Sequence, residues 1–164
     1  MKTKHITFLF TTLVVFGLAS CNNMDETCRK TKTVLMGAKF YQDTLNVKTN
    51  QYVTLSYTPK TLTAKGVGVD SILYNKKENI GEIKLPLNKL KKQSSFSIGF
   101  NEKYDTITVV YQNANDYLSL ECGCVPTHTI DTVLTTNHVI DKIKISQPNI
   151  NTTYVENIKI YLVK

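Results

Sequence analysis

Ser95-Phe96-Ser97-Ile98-Gly99-Phe100 (residues 95–100) is the stretch from which the fold can be read. Phe96, Ile98 and Phe100 alternate with Ser95, Ser97 and Gly99, and this two-residue period is that of a strand burying one face. Outward from it the period recurs. Across Glu156–Val163, Ile158, Ile160 and Leu162 alternate with Asn157, Lys159 and Tyr161. Further strands are expected at Val34–Tyr41, Tyr52–Tyr57, Ser71–Tyr74, Ile83–Leu87, Thr106–Tyr111, Tyr117–Cys122, Thr127–Leu134 and Ile140–Ser146. Turn signals stand between them at Lys65-Gly66, Asn75-Lys76, Asn113-Ala114-Asn115 and Gln147-Pro148-Asn149. No long helical stripe follows Thr33.

An acidic residue, a polar one and a branched apolar one recur as Asp70-Ser71-Ile72, Asp105-Thr106-Ile107, Asp131-Thr132-Val133, Asp141-Lys142-Ile143 and Glu156-Asn157-Ile158. Their irregular spacing excludes a solenoid of fixed repeat. The simplest cause is turn grammar, in which the acid caps a turn and the β-branched residue begins the strand. Many short strands with frequent turns imply a sandwich or barrel. Isolated hairpins bury too little, so the expectation is an all-β fold, a two-sheet antiparallel β-sandwich (immunoglobulin-like or similar) of about 8–10 strands. With Asp43-Thr44-Leu45, four tripeptides have the form Asp-Ser/Thr-apolar. These resemble the O-glycosylation acceptor of exported Bacteroidetes proteins and mark Thr44, Ser71, Thr106 and Thr132 as candidate sites.

The N-terminus sets the location. Lys2 and Lys4 precede an apolar run from Ile6 to Leu18, too short for the roughly 20 residues of a spanning helix. A positive start, a brief apolar body and small residues at the exit describe a cleaved export signal. Cys21 directly after Leu18-Ala19-Ser20 resembles the bacterial lipobox, which implies lipidation at Cys21. Residues 1–20 are thus read as a lipoprotein signal peptide, 21–32 as a lipidated flexible tether and 33–164 as a single β-sandwich domain. Two acyl signals anchor stably where one does not. The acidic pair Asp25-Glu26 resembles the signal sending some Bacteroidetes lipoproteins to the outer face of the outer membrane. The expected location is the bacterial cell envelope, lipid-anchored at the outer membrane, with the periplasmic or surface face undetermined.

Removing residues 1–20 takes away Lys2 and Lys4, so 18 basic residues remain against 13 acidic ones, +5 rather than +7. The local concentrations, Lys76-Lys77 and Lys89, Lys91, Lys92, fall in expected turns. Nucleic-acid binding needs a continuous basic face with stacking aromatics, so that class is excluded. No G-x-S-x-G, H-E-x-x-H, phosphate loop or dinucleotide fingerprint occurs. The carboxylates are scattered and no cofactor is implied, so the chain is read as non-enzymatic.

Lipidation of Cys21 leaves Cys28, Cys122 and Cys124. In an oxidising compartment Cys28 is expected to pair with Cys122 or Cys124, leaving one thiol over. Closing a loop of about a hundred residues is worth up to roughly 4–5 kcal/mol in the chain-entropy model. The alternative is a periplasmic thiol- or metal-binding protein using Cys122, Cys124 and His128, with Cys28 or His138 completing four ligands. Against it, C-x-C lacks the turn geometry of a C-x-x-C knuckle, and Pro126 interrupts the path to His128.

The lipobox, Cys28, Leu85-Pro86-Leu87-Asn88 before Phe96-Ser97-Ile98, Asp105-Thr106-Ile107, Glu121-Cys122-Gly123, Asp141-Lys142-Ile143 and Glu156-Asn157-Ile158 follow in order. Together they resemble an uncharacterised lipoprotein family of Bacteroidetes, across nearly the whole mature chain. The resemblance implies an envelope location and favours Cys28–Cys122 as the disulfide. It supplies no activity. The functional expectation is a lipid-anchored binding or structural module, fastened to the membrane and contacting an outer-membrane protein or other envelope component.

Overall fold

The computed structural model describes residues 33–120 and 122–163. The described residues belong to one compact unit, Lys32–Lys164. The expected signal peptide and tether, with Cys21 and Cys28, lie outside the described residues.

Eleven strands are present among the described residues. They are β1 (Met36–Asn46), β2 (Gln51–Ser56), β3 (Thr61–Gly66), β4 (Ile72–Glu78), β5 (Glu82–Leu85) and β6 (Gln93–Phe100), then β7 (Lys103–Ser119), β8 (Gly123–Thr135), β9 (Ile140–Ile145), β10 (Asn149–Ile150) and β11 (Glu156–Leu162). They make two sheets. One runs β2-β1-β11-β9 with β5 also on β1, and the other runs β10-β8-β7-β6-β3-β4. Every pairing is antiparallel except β1 with β11, which is parallel. β5 occupies Met36–Lys39 of β1 and β2 occupies Tyr41–Asn46, so two strands follow one another along the edge of β1 that faces away from β11.

The alternation of residues 95–100 works as read: Phe96, Ile98 and Phe100 are buried core residues. The same period in β11 buries Ile158, Ile160 and Leu162. The Phe40 and Phe100 rings meet edge-to-face at 5.0 Å, an arrangement that adds to their burial. Gly99 faces Tyr104 across the β6–β7 ladder, and a Cβ there would run into the Tyr104 ring.

Two turn signals have other roles, and a third marks the end of an unexpected strand. Asn113-Ala114-Asn115 is not a turn: β7 runs through it and absorbs the strand expected at Tyr117–Cys122. The hairpin instead reverses beyond the Ser119–Gly123 pair, where Gly123 has φ 72°. Asn75-Lys76 is a bulge inside β4, where the register to β3 slips and Lys76 has φ 43°. Lys65-Gly66 ends β3, a strand not expected because Ala64 and Gly66 are poor strand formers. Of the five acidic phrases, three place the acid inside a strand: Asp105 in β7, Asp131 at a bulge opposite Val110 and Tyr111 of β7, and Asp141 at a register slip opposite Tyr161 and Leu162 of β11.

Candidate functional site

β7 carries side chains that fasten the loops at its flanks. Asp105, with a fully buried side chain, accepts at Oδ1 from Thr136 Oγ1 (2.5 Å), the His138 amide (2.8 Å) and His138 Nδ1 (2.9 Å). At Oδ2 it accepts from the amides of Val139 (2.6 Å) and Ile140 (2.8 Å). Burial pushes this carboxyl up, but the Thr136 hydroxyl and the three amides outweigh it and hold the pKa at about 2. Asp105 therefore caps the β8–β9 connection rather than its own turn.

Six residues on, the buried Tyr111 hydroxyl accepts from the Asn88 amide (2.9 Å), donates to the Asn88 carbonyl (2.9 Å) and meets Ser94 Oγ at 2.7 Å. Asn113 Nδ2 donates to the carbonyls of Lys89 (3.1 Å) and Lys91 (2.8 Å). Its Oδ1 must then accept, so His128 Nδ1, 2.7 Å away, carries the hydrogen. His128 is buried edge-on against Tyr111, and burial lowers its pKa. The β5–β6 loop is thus sewn to the second sheet.

That loop forms one wall of a groove of about 380 Å³. The β3–β4 turn, held by Gly66 N–H to Ser71 O (3.1 Å) and Val67 N–H to Ser95 O (2.9 Å), forms the other. Val67, Val69, Leu73, Leu87 and Phe96 supply apolar lining, Asn88, Gln93, Ser94 and Ser95 are its polar members, and Lys91 supplies the charge. The lining is mixed apolar and polar and carries no paired acid and base.

The second feature is the β1–β2 hairpin. Every residue of β2 is exposed, Tyr52 at 75%, Val53 at 41% and Leu55 at 53%. The register Gln42–Leu55 and Thr44–Val53 puts Val53 and Leu55 on the face that carries Phe40, past the end of the packed core. On the outer face Thr54 Oγ1 donates to Asp43 Oδ1 (2.6 Å), and Lys142 Nζ reaches Asp43 Oδ2 (2.8 Å) while lying over Tyr161 at 4.8 Å. The Lys142 ammonium holds the Asp43 carboxyl below its ordinary range.

The expected cysteine–histidine cluster is not brought together. Cys122 is buried and is not a free thiol, whereas Cys124 is free and exposed. Four residue steps along β8, about 13 Å of extended chain, separate Cys124 from His128, whose Nδ1 is already taken by Asn113. His138 sits on Asp105 instead. Among the described residues no three His, Cys, Asp or Glu side chains are grouped to hold a metal. Of the candidate glycosylation sites, Ser71 and Thr132 are exposed, while Thr44 and Thr106 are half-buried within β1 and β7. Sequence reasoning found β2 only as a strand. No local signal singles it out: Gln51–Ser56 lacks charge, but so does the central strand β6.

The two sheets define the class: a β-sandwich, with a preformed groove and an open strand edge on its described surface. The chain belongs to a family of unknown function, DUF6452, whose profile matches residues 61–162. No curated protein and no solved structure matches it. The match begins at β3, so β1 and β2 lie outside it, a shorter span than the near-complete coverage expected from the motifs.

Proposed function

We propose that the protein is a non-enzymatic, lipid-anchored module of the bacterial cell envelope, held at the outer membrane through Cys21, that binds another envelope protein along β2. The observation that carries the binding reading is the β1–β2 hairpin. An uncharged strand exposing Tyr52, Val53 and Leu55 at a sheet edge offers unpaired backbone groups and apolar surface together. The signal and lipobox-like Cys21 supply the anchor. Cys28 is the proposed disulfide partner of Cys122, supported by Cys124 alone being a free thiol among the described residues. The groove lining, with Lys91 as its one charged group, suits retention of a ligand better than acid–base turnover. The thiol- or metal-binding alternative has no comparable support, because Cys124 and His128 stand apart.

Two measurements test this reading. Labelling with an alkyne fatty acid is expected to mark the wild type and not Cys21→Ala. A photocrosslinking residue at Val53, in native membranes, is expected to form an adduct with an envelope protein. If it forms no more adduct than the same probe at Lys77 on β4, the binding reading falls.

A further inference from the structure

Among the described residues five strands form edges in the two sheets, and four are protected against pairing. β4 carries a bulge with Lys76 and Lys77. β5 has four residues, among them Glu82 and Lys84, and runs into Pro86. β9 carries Asp141, Lys142 and Lys144, and β10 is two residues long after Pro148. Charge, bulges, proline and shortness are the usual devices against edge pairing. β2 has none of them: Gln51–Ser56 contains no charge, no proline and no register slip.

The backbone phase of β2 is set by the Tyr57 N–H bonded to the Phe40 carbonyl at 2.9 Å. Odd-numbered residues of the strand therefore turn their backbone groups toward β1, and Tyr52, Thr54 and Ser56 turn theirs outward. One antiparallel register with an identical strand uses all of these groups. Thr54 faces Thr54 of the second copy across a two-fold axis, and Tyr52 faces Ser56. Val53 then faces Leu55 of the second copy in the closer, non-hydrogen-bonded pairs, which puts the uncovered apolar residues of both copies against each other on one face. The nearest lysines, Lys48 and Lys60, lie outside the paired strand.

We propose that β2 pairs with β2 of a second copy in this register, making one sheet continuous through both molecules. This rests on the reading of β2 as a binding edge and names the partner. A closed two-fold pairing consumes the edge and does not propagate. One strand pair is smaller than a stable interface of about 1,200–2,000 Å², so the contact is strengthened by holding both copies on one surface.

The test uses the full-length protein in membranes, with two differently tagged copies. Wild-type copies are expected to capture one another. Thr54→Lys alone and Thr54→Glu alone set like charges face to face on the axis and are expected to lower capture about two- to fivefold. Mixing the two variants is expected to restore it. In a Cys124→Ser background, Thr54→Cys is expected to form an oxidised dimer, since the facing Cα atoms of such a pair lie about 5.5 Å apart. No capture of wild type, or equal capture by each single variant and by the mixture, overturns the self-pairing. A photoprobe at Thr54 separates this from failure of the edge reading. An adduct of twice the chain mass supports the pairing, an adduct of another mass overturns it while keeping the edge, and no adduct overturns both.

Discussion

Removing the Asp105 carboxylate should be among the most damaging single changes to the sandwich. In Asp105→Ala the amides of His138, Val139 and Ile140 lose their acceptor. An orphaned buried donor costs about 1–3 kcal/mol, so the expected loss is about 3–6 kcal/mol, a large part of the 5–15 kcal/mol that holds a typical domain. Asp105→Asn should not rescue it. The amide keeps one acceptor but turns an NH2 toward the Val139 and Ile140 donors, at a cost of about 2–4 kcal/mol. The sign of the pH dependence follows from the pKa, lowered from 3.8 to about 2 in the fold. A carboxyl bound more tightly as its anion stabilises the fold above its unfolded pKa, and that stability is lost as pH falls through the folded one. The pKa-linked part is about 2–3 kcal/mol, smaller than the deletion cost because a protonated Asp105 still accepts hydrogen bonds. Urea unfolding followed by far-UV circular dichroism, as the chain has no Trp, measures both quantities. Wild type should exceed Asp105→Asn by a margin that shrinks by about 2 kcal/mol between pH 5 and pH 2. A variant within 1 kcal/mol of wild type at pH 7, or a margin unchanged across that range, would refute the clamp.

Tyr111→Phe removes the hydroxyl that pairs both backbone groups of Asn88; it should cost about 1–3 kcal/mol and speed hydrogen exchange at Asn88, with unchanged exchange counting against it. Protonating His128 must charge a buried ring whose folded pKa is lowered, so wild-type stability should fall as pH drops below about 6.5. His128→Gln should flatten that slope, and an identical slope in the variant would show that another group titrates. Denatured, unreduced mature protein should react as a single free thiol, and Cys124→Ser as none; two or more thiols in the wild type would break the Cys28–Cys122 pairing. Cys124→Ser itself, at an exposed position, should change stability by less than about 0.5 kcal/mol.

The fold was legible wherever one face of a strand is packed and the other is wet. Residues 95–100 and β11 show the period plainly because Phe96, Ile98 and Phe100, and Ile158, Ile160 and Leu162, all enter one core, while Tyr161 packs on the other face of β11 against Tyr41. Legibility failed where tertiary bonds replaced local preference. Asn113 reads as a turn because asparagine offers its side chain to nearby backbone, yet here that side chain is committed to Lys89, Lys91 and His128. Asp105 and Asn157 read as the polar parts of turn phrases, and both are buried. Asn157 accepts from Gly37 N–H (2.9 Å) and donates to the carbonyls of Gln147 (2.8 Å) and Asn149 (3.1 Å). A polar residue whose partners lie ten or a hundred residues away leaves no local pattern from which to find it.

The candidate site was less legible for a different reason. A catalytic cluster is recognised by what it contains, whereas β2 is recognised by what it lacks compared with β4, β5, β9 and β10. That comparison requires knowing which strands are edges, and edge status is a property of the sheet order. The parallel pairing of β1 with β11 places β2 outermost, and no feature within Gln51–Ser56 predicts it. Once the order is known, the same six residues change meaning. Tyr52, Val53 and Leu55 in a central strand would be ordinary sheet residues, but on an edge exposed on both faces they are a liability unless something covers them. Natural edges avoid that liability at little cost, as the lysines of β4 and β9 do here. Among the described residues β2 alone is left bare while the other edges are protected, and that contrast is what the proposed strand pairing accounts for.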